Sequence, residues 1–489
     1  MTSLVYRRFG GELATILSVV LLVNFATLWF LPLMTRGLGA DAYGTWAQVQ
    51  VTLTLGIGVV GFGLPYAMTR ILSATQDRST VVDDFWSAVA LVGAVVGLVA
   101  LVFLSMSEVV ARVLFAGQVS VVRLTAVLLV TWALDHVCLS FLRARREIRI
   151  YAILTVAHSY VSLGVIAALA LRGGGILSAL VALLAVQSAL LVGLLIAIIR
   201  RLGVARPRFR RIREYLAFGV PTIPGNISSW IVHASDRYVI GYFLGMSAVG
   251  VYAAAFTVGT VCTFLGGVLG FVSPAALSQL YDQGRIAEVR TILSGSLKYA
   301  LAIAVPFVFG VIALGQPVLQ LLTTQEMASQ AGIIPTLISV SVVMEVAQLP
   351  FGMPLFLARK TPVTATIWTA AAVLNLVLNL SLVPRIGILG AAVGTVIAQS
   401  LGLVCVLVIG RKILRVSMQW SFFAKTLVAS AVMWLVTSLL PAEGPATVAG
   451  AVSMGVFVYV LGMVLMRAVT MDEIRMIRSI FWQPRTHSE

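Results

Sequence analysis

The chain has 489 residues, of which 60% are hydrophobic and 11% charged, and its mean hydropathy is +1.02. No water-soluble domain sustains that composition, so soluble enzymes and disordered scaffolds are excluded. The formal net charge of +16 is read as topogenic charge that also meets anionic lipid headgroups, and not as a nucleic-acid surface.

Uncharged stretches of about 20 residues recur along the whole chain, each enough to cross the roughly 30 Å hydrocarbon core as a helix. They predict an all-α integral membrane protein of about fourteen transmembrane helices. The first six spans are 12–34, 43–70, 85–106, 119–142, 151–171 and 176–199. A basic linker follows, and then 216–244, 248–272, 297–314, 332–357, 362–382, 388–409, 423–440 and 446–466.

The gaps between spans alternate in charge. One set carries Arg7 and Arg8; Arg70 and Arg78; Arg143, Arg145, Arg146 and Arg149; the arginines from Arg200 to Arg213; Arg285, Arg290 and Lys298; Arg359 and Lys360; Arg411, Lys412, Arg415 and Lys425; and the tail from Arg467. The other set holds only Arg36, Arg112, Arg123, Arg172 and Arg385. Cytoplasmic loops retain positive charge, which places both termini in the cytoplasm. No small-residue cleavage site follows the first span, so no signal peptide is expected. The external gap 315–331 carries one carboxylate, Glu326, which argues against a membrane-embedded glycosyltransferase. There is no P-loop, zinc motif or catalytic triad signature. Cys138, Cys262 and Cys405 all lie in apolar spans without metal or redox spacing. The expectation is a non-enzyme with no bound cofactor.

A repeat is visible. Leu38-Gly39-x4-Gly44-x2-Ala47 follows the first span, and Leu244-Gly245-x4-Gly250-x2-Ala253 follows the seventh. Gly175-Ile176-Leu177-x-Ala179 is echoed by Gly387-Ile388-Leu389-x-Ala391. An even number of spans per copy predicts two six-helix lobes of like orientation, related by an axis along the membrane normal. The expected organisation is an N-terminal lobe (1–199), a cytoplasmic basic linker (200–213), a C-terminal lobe (214–410), and two further helices with a cytoplasmic tail (411–489). Gly56, Gly58, Gly61, Gly63 and Pro65, and their counterparts Gly259, Gly266, Gly267, Gly270 and Pro274, serve either bending or close packing.

Several segments resemble a known family. Residues 33–44, Leu-Met-Thr-Arg-Gly-Leu-Gly-Ala-Asp-Ala-Tyr-Gly, are similar to the first loop of bacterial polysaccharide-biosynthesis flippases. Phe218-Gly219-Val220-Pro221-Thr222-Ile223-Pro224, Ser235-Asp236-Arg237-Tyr238 through Gly245, and Leu374-Asn375-Leu376-Val377-Leu378-Asn379-Leu380 with Gly387 to Ala392 extend the likeness over nearly the whole chain. The resemblance is to the Wzx-type oligosaccharide flippases of the multidrug/oligosaccharidyl-lipid/polysaccharide exporter superfamily. It implies movement of an undecaprenyl-diphosphate-linked oligosaccharide across the bacterial inner membrane by alternating access, for O-antigen, exopolysaccharide or capsule. The implied partners are that substrate, membrane lipids, and a polymerase and glycosyltransferases of the same pathway. Two relatives in the superfamily stay open as alternatives, a cation-coupled multidrug antiporter and a peptidoglycan lipid-precursor flippase.

Ionisable groups inside spans are functional candidates by default. Asp236 and Arg237, with His233 one turn before, lie in the seventh span. Arg237 suits a diphosphate or acidic sugar, because guanidinium binds such oxygens bidentately; a structural ion pair with Asp236 is the competing reading. Asp135, Glu345 and Asp236 are candidates for carrying a coupling H⁺ or Na⁺, against a packing role for each. His136 and His158 read as satisfied packing residues. Asn24, Asn226 and Tyr238 are candidate sugar contacts, against helix bridging or interfacial anchoring. Arg36 is a candidate headgroup contact at the external mouth, against a snorkelling anchor.

Overall fold

A computed structural model of the chain describes residues 2–263 and 274–468. Among the described residues every regular element is helical. Among the described residues eleven helices are long and apolar enough to cross a membrane, so this is a multi-pass membrane protein.

The first half contains α1 (Thr2–Val60), α2 (Leu64–Ile71), α3 (Arg78–Ser105), α4 (Ser107–Leu114), α5 (Val119–Ala144), α6 (Ile148–Leu171) and α7 (Ile176–Leu202). α1 joins what hydropathy separates into the first two spans. It turns at Gly39 (φ 87°, ψ 173°), a conformation that a residue with a Cβ adopts only at a cost. The expected second span breaks near its end, where Phe62 (φ 46°) and Gly63 (φ 65°) precede α2. Of the glycines there, Gly63 therefore serves the bend, whereas a Cβ on Gly56 would collide with Leu129 and so serves packing.

The second half contains α8 (Ile212–Gly219), α9 (Ile223–Leu244), α10 (Met246–Gly259), α11 (Pro274–Asp282), α12 (Ile286–Leu322), α13 (Gln325–Ala331), α14 (Ile334–Leu357), α15 (Thr361–Ile386), α16 (Ile388–Gly410), α17 (Trp420–Ser438) and α18 (Pro445–Leu465). The expected span 216–244 is two helices, α8 and α9, separated by the 3-10 turn Val220–Thr222. Pro221 and Pro224 supply no N–H to the ladder there. α9 is absent from the eleven apolar helices because its polar residues lower its hydropathy. α10 has 14 residues; the rest of the expected span 248–272, with Gly266, Gly267 and Gly270, lies outside the described residues. The expected gap 315–331 is mostly helix, as α12 runs for 37 residues to Leu322 and α13 follows. Arg475, Arg478 and Arg485 also lie outside the described residues.

The halves touch through glycine. Gly245 (φ 86°, ψ 175°) ends α9 in the conformation Gly39 adopts in α1. One turn further on, a Cβ on Gly44 would overlap the carbonyl oxygen of Met246, and a Cβ on Gly250 would overlap that of Ala40. Ala40 and Met246 hold the same place in the two sequence echoes, so the echoed segments meet backbone to backbone and each glycine receives the main chain of the other segment. A second such contact joins Gly63 to Gly219, where either added Cβ would strike the opposing main chain.

The basic linker is strapped to the first half. Asp83 Oδ1 accepts from the Arg208 N–H at 2.7 Å and Ser87 Oγ accepts from the Phe209 N–H at 3.0 Å. Trp86 Nε1 donates to the Gly203 carbonyl at 3.1 Å. Arg211 Nη1 and the Tyr215 hydroxyl both donate to Asp84 Oδ2, at 3.2 and 2.8 Å. Burial and the adjoining Asp84 carboxylate push the Tyr215 phenol well above its ordinary pKa, so it stays a donor. α3 itself begins at Asp77, whose carboxylate accepts from the Thr80 N–H and from the Thr80 and Ser79 hydroxyls at 2.9, 2.6 and 2.7 Å.

Candidate functional site

α9 carries the densest set of candidates. Pro224 in its first turn is preorganised for a helix start, and Gly245 stops it. Asn226, Trp230, His233 and Arg237 recur at intervals of three and four residues, which puts them along one face. Asp236 is rotated about 100° from its neighbour.

That rotation gives Asp236 and Arg237 different partners. Asp236 is fully buried, and its Oδ2 accepts a 2.5 Å hydrogen bond from the Tyr252 hydroxyl on α10. Its Oδ1 accepts from the Arg237 N–H at 2.8 Å and from Arg237 Nη1 at 3.3 Å. Arg237 Nη1 also donates to the His233 carbonyl at 2.8 Å, and the guanidinium carbon lies 4.4 Å from the centre of the Phe256 ring. The pair, the aromatic face and the charge-assisted bonds compensate one another for lost water. His233 bridges to the next wall: its Nε2 is 3.3 Å from Glu345 Oε2 on α14, with both side chains about one-third exposed at 33% and 32%. The structure thus gathers Asp236, Arg237, His233 and Glu345, and recruits Tyr252 and Phe256, which the sequence did not flag because aromatics are common in any apolar helix.

Beside this cluster α15 and α16 form an amide network. Asn379 Nδ2 donates to Asn375 Oδ1 at 3.1 Å, and Asn375 Nδ2 to Thr395 Oγ1 at 3.5 Å. Gln348 Nε2 donates to Gln399 Oε1 at 2.8 Å, joining α14 to α16. These amides bridge helices.

Other candidates stand elsewhere. The Tyr238 hydroxyl shares a 2.7 Å hydrogen bond with Thr52 Oγ1 on α1, and its ring lies 5.6 Å from that of Trp230. Arg36 donates to the carbonyls of Gln320, Leu321 and Thr323 at 3.0, 2.8 and 3.1 Å, so it satisfies orphan carbonyls at the end of α12. Asn24 is on the exposed face of α1. Asp135 is on α5, where it and His158 of α6 approach the buried Gln187 of α7. Among the described residues no group of three or more His, Cys, Asp or Glu side chains gathers as a metal site.

A cavity of about 320 Å³ opens between the halves. The first half contributes Thr54, Tyr66, Thr69, His136 and Arg143, and the second half contributes Asn226 and Trp230. The Gly63–Gly219 contact adjoins it, as Gly63 is part of its wall. Arg143 was grouped by sequence with the cytoplasmic gap, yet it shares one face of α5 with His136, seven residues earlier. That heptad spacing was the available signal.

Comparison with known proteins places this geometry. Residues 33–331 match the model of a family described as polysaccharide biosynthesis protein. AglR of Haloferax volcanii, described as a probable flippase, is 28% identical over 177 residues, 36% of either chain. ExoT of Rhizobium meliloti, a succinoglycan biosynthesis transport protein, is 24% identical over 300 residues, 60% of this chain and 58% of that one. The chain therefore aligns with about a third of AglR and under two thirds of ExoT. In fold, the lipid II flippase MurJ in an inward closed conformation superposes with a TM-score of 0.76 at 15% identity, covering 92% of this chain and 99% of that one. An inward-facing MATE family multidrug resistance transporter gives 0.62 at 15% identity, covering 81% and 94%. The family model matches more than half of the chain, which shares its fold with the MurJ and MATE proteins; the chain belongs to the polysaccharide biosynthesis protein family.

Proposed function

We propose that the protein is a flippase that moves a lipid-linked oligosaccharide from the inner to the outer leaflet of the bacterial inner membrane by alternating access, supplying O-antigen, exopolysaccharide or capsule synthesis. The observation that carries this reading is the polar cavity held between two halves that touch through glycine backbones at two places. A sugar-diphosphate headgroup cannot enter hydrocarbon unaided. A polar chamber replaces its water while the lipid tail stays in the bilayer. The curated relatives, a probable flippase and a succinoglycan transport protein, support the same class of cargo.

In this proposal the two halves are the moving six-helix lobes, α17 and α18 are an appendix, and fourteen spans put both ends of the chain in the cytoplasm. The α9 face with Asn226, Trp230, His233 and Arg237 borders the substrate path, with Tyr238 supporting it. Asp236, Glu345 and Asp135 are the groups to which a coupling H⁺ or Na⁺ would bind. Arg36 lies at the outer mouth, where it ties α1 to the end of α12, and Asn24 is a sugar contact within the first span. A polymerase and glycosyltransferases of the same pathway would consume and make the cargo.

The test pairs polymer-export complementation with flipping of a lipid-linked oligosaccharide by the reconstituted protein. Loss of export on deletion together with flipping in vesicles is expected. Intact export with no flipping overturns the proposal. Uptake of organic cations in place of lipid-linked sugar would select the antiporter alternative.

A further inference from the structure

The first half has a groove whose counterpart in the second half is filled by side chains. α5 and α14 end alike, with Arg146 (φ 58°) and Arg359 (φ 57°) in the left-handed region. The N–H that follows, of Glu147 or of Lys360, donates to the carbonyl of Leu142 or of Leu355 at 2.9 or 2.8 Å. α7 and α16 each begin after a glycine, Gly175 or Gly387. Counted from these points, Ile150 and Leu154 of α6 take the places of Val363 and Ile367 of α15. Likewise Gly193, Ala197 and Arg201 of α7 take those of Cys405, Ile409 and Ile413. In the second half these five residues pack with Leu355 and Val406 in one hydrophobic cluster. In the first half a cavity of about 270 Å³ opens among their counterparts, between α5, α6 and α7. Side-chain size explains the difference. Glycine and alanine stand where the second half has cysteine and isoleucine, and a Cβ on Gly193 would meet nothing within 4 Å. Gly193 and Ala197 are exposed in an apolar helix, so the groove opens toward the bilayer.

One end of the groove is charged. Arg145, Glu147 and Arg201 line it there. Glu147 pairs with Arg201. Arg145 Nη1 donates to the Thr75 carbonyl at 3.2 Å, and among the described residues no carboxylate lies within salt-bridge distance of it. The mouth therefore carries one positive charge in excess. From Arg201 back to Gly193 is just over two turns of helix, about 12 Å. That depth stays within the roughly 15 Å of one leaflet's hydrocarbon. An apolar channel of this depth under a cationic rim has the chemistry of a phospholipid, with a chain along Gly193 and Ala197 and a phosphate at Arg145.

We infer that this groove binds one anionic phospholipid of the cytoplasmic leaflet, which packs α5, α6 and α7 together as side chains pack α14, α15 and α16. The basic gaps that hold Arg145 and Arg201 belong on the cytoplasmic face. The excess arginine selects an anionic headgroup, whose phosphate it bonds with charge assistance. A zwitterionic lipid brings the same phosphate with a cation of its own, which the arginines repel. No residue of this groove lines the cavity between the halves, and the inference does not depend on what cargo the protein carries.

The test is native mass spectrometry of the full-length protein released from micelles that contain phosphatidylglycerol or phosphatidylcholine. Wild type should retain one phosphatidylglycerol, about fivefold more than phosphatidylcholine. Gly193→Leu fills the groove and leaves every charge in place, so its retention should fall about fivefold or more. Gly164→Leu, outside the groove on α6 and also free of contacts within 4 Å of an added Cβ, should retain lipid as wild type does. Arg145→Gln should bring phosphatidylglycerol down to the level of phosphatidylcholine. Thermal unfolding gives a second reading, because a ligand of the folded state raises Tm. Phosphatidylglycerol should raise the Tm of wild type and Gly164→Leu and leave that of Gly193→Leu unmoved. Equal retention of the two lipids by wild type overturns the inference, as does undiminished retention in Gly193→Leu. Displacement of the retained lipid by equimolar farnesyl diphosphate would make the groove a place for a prenyl diphosphate and overturns it too.

Discussion

Two regions of the interface between the halves are built on opposite principles. At Gly44 and Gly250 the main chains press against each other and no side chain intervenes. Around Arg143, Asn226 and Trp230 the same halves stand apart and leave a polar chamber. The first region is made of what residues lack and the second mostly of what they carry. A contact without side chains forms and separates without rearranging rotamers or stranding polar groups. A chamber lined by polar side chains keeps donors and acceptors available to whatever enters it.

The sharpest way to break this comparison is to wedge the glycine contact. Gly250→Val should reduce polymer export to background, because its Cβ would overlap the Ala40 carbonyl. Gly164→Val, at a position outside the cavity where an added Cβ meets nothing within 4 Å, should retain most export. Equal activity of the two variants would show that the contact does not matter. Next in size is Asp236→Ala, which leaves Arg237 buried without its carboxylate and should cost about 3–5 kcal/mol. Thermal unfolding in detergent would read this as a lowered Tm, and the double variant Asp236→Asn with Arg237→Gln should recover part of the loss. Arg36→Ala removes three hydrogen bonds to carbonyls at the end of α12 but at an exposed position, so a cost of about 1 kcal/mol is expected, with polymer export largely kept. Loss of export at unchanged stability would give Arg36 a direct part in transport.

The smallest effect concerns Asp77, which lies outside both regions. Hydrogen bonds from the Thr80 and Ser79 side chains hold its carboxyl well below the ordinary carboxylate range. A lowered folded-state pKa contributes stability that is present above the unfolded value and lost as pH falls through the folded one. The penalty of Asp77→Ala should therefore be constant from about pH 5 upward and shrink only in stronger acid. A penalty that grows on acidification would contradict the capping role.

Much of the architecture was legible because a bilayer makes simple demands. Apolar length, helix-breaking glycines and the placing of arginine are local properties, and they marked most of the helices, the linker and the two echoes around Gly39 and Gly245. What they could not give was the partner of any group. The break at Val220–Thr222 and the long α12 were missed because a hydropathy window averages over a turn of 3-10 helix and does not see helix continue beyond the apolar stretch. Asp236 and Arg237 were visible as charges in an apolar run; that Tyr252 and Phe256 compensate them depends on α10 folding back along α9. Arg36 sat in a motif that suggested a ligand contact, and the fold brought the end of α12 to it.

By itself, then, the sequence determined that this chain enters a membrane, in helices, since burial in hydrocarbon is decided residue by residue. Tertiary structure alone decided that Gly44 meets Gly250 and that Arg143 faces a cavity shared with Asn226 and Trp230. Those facts depend on which surfaces of separate helices are pressed together, and no window along the chain contains both sides of such a contact.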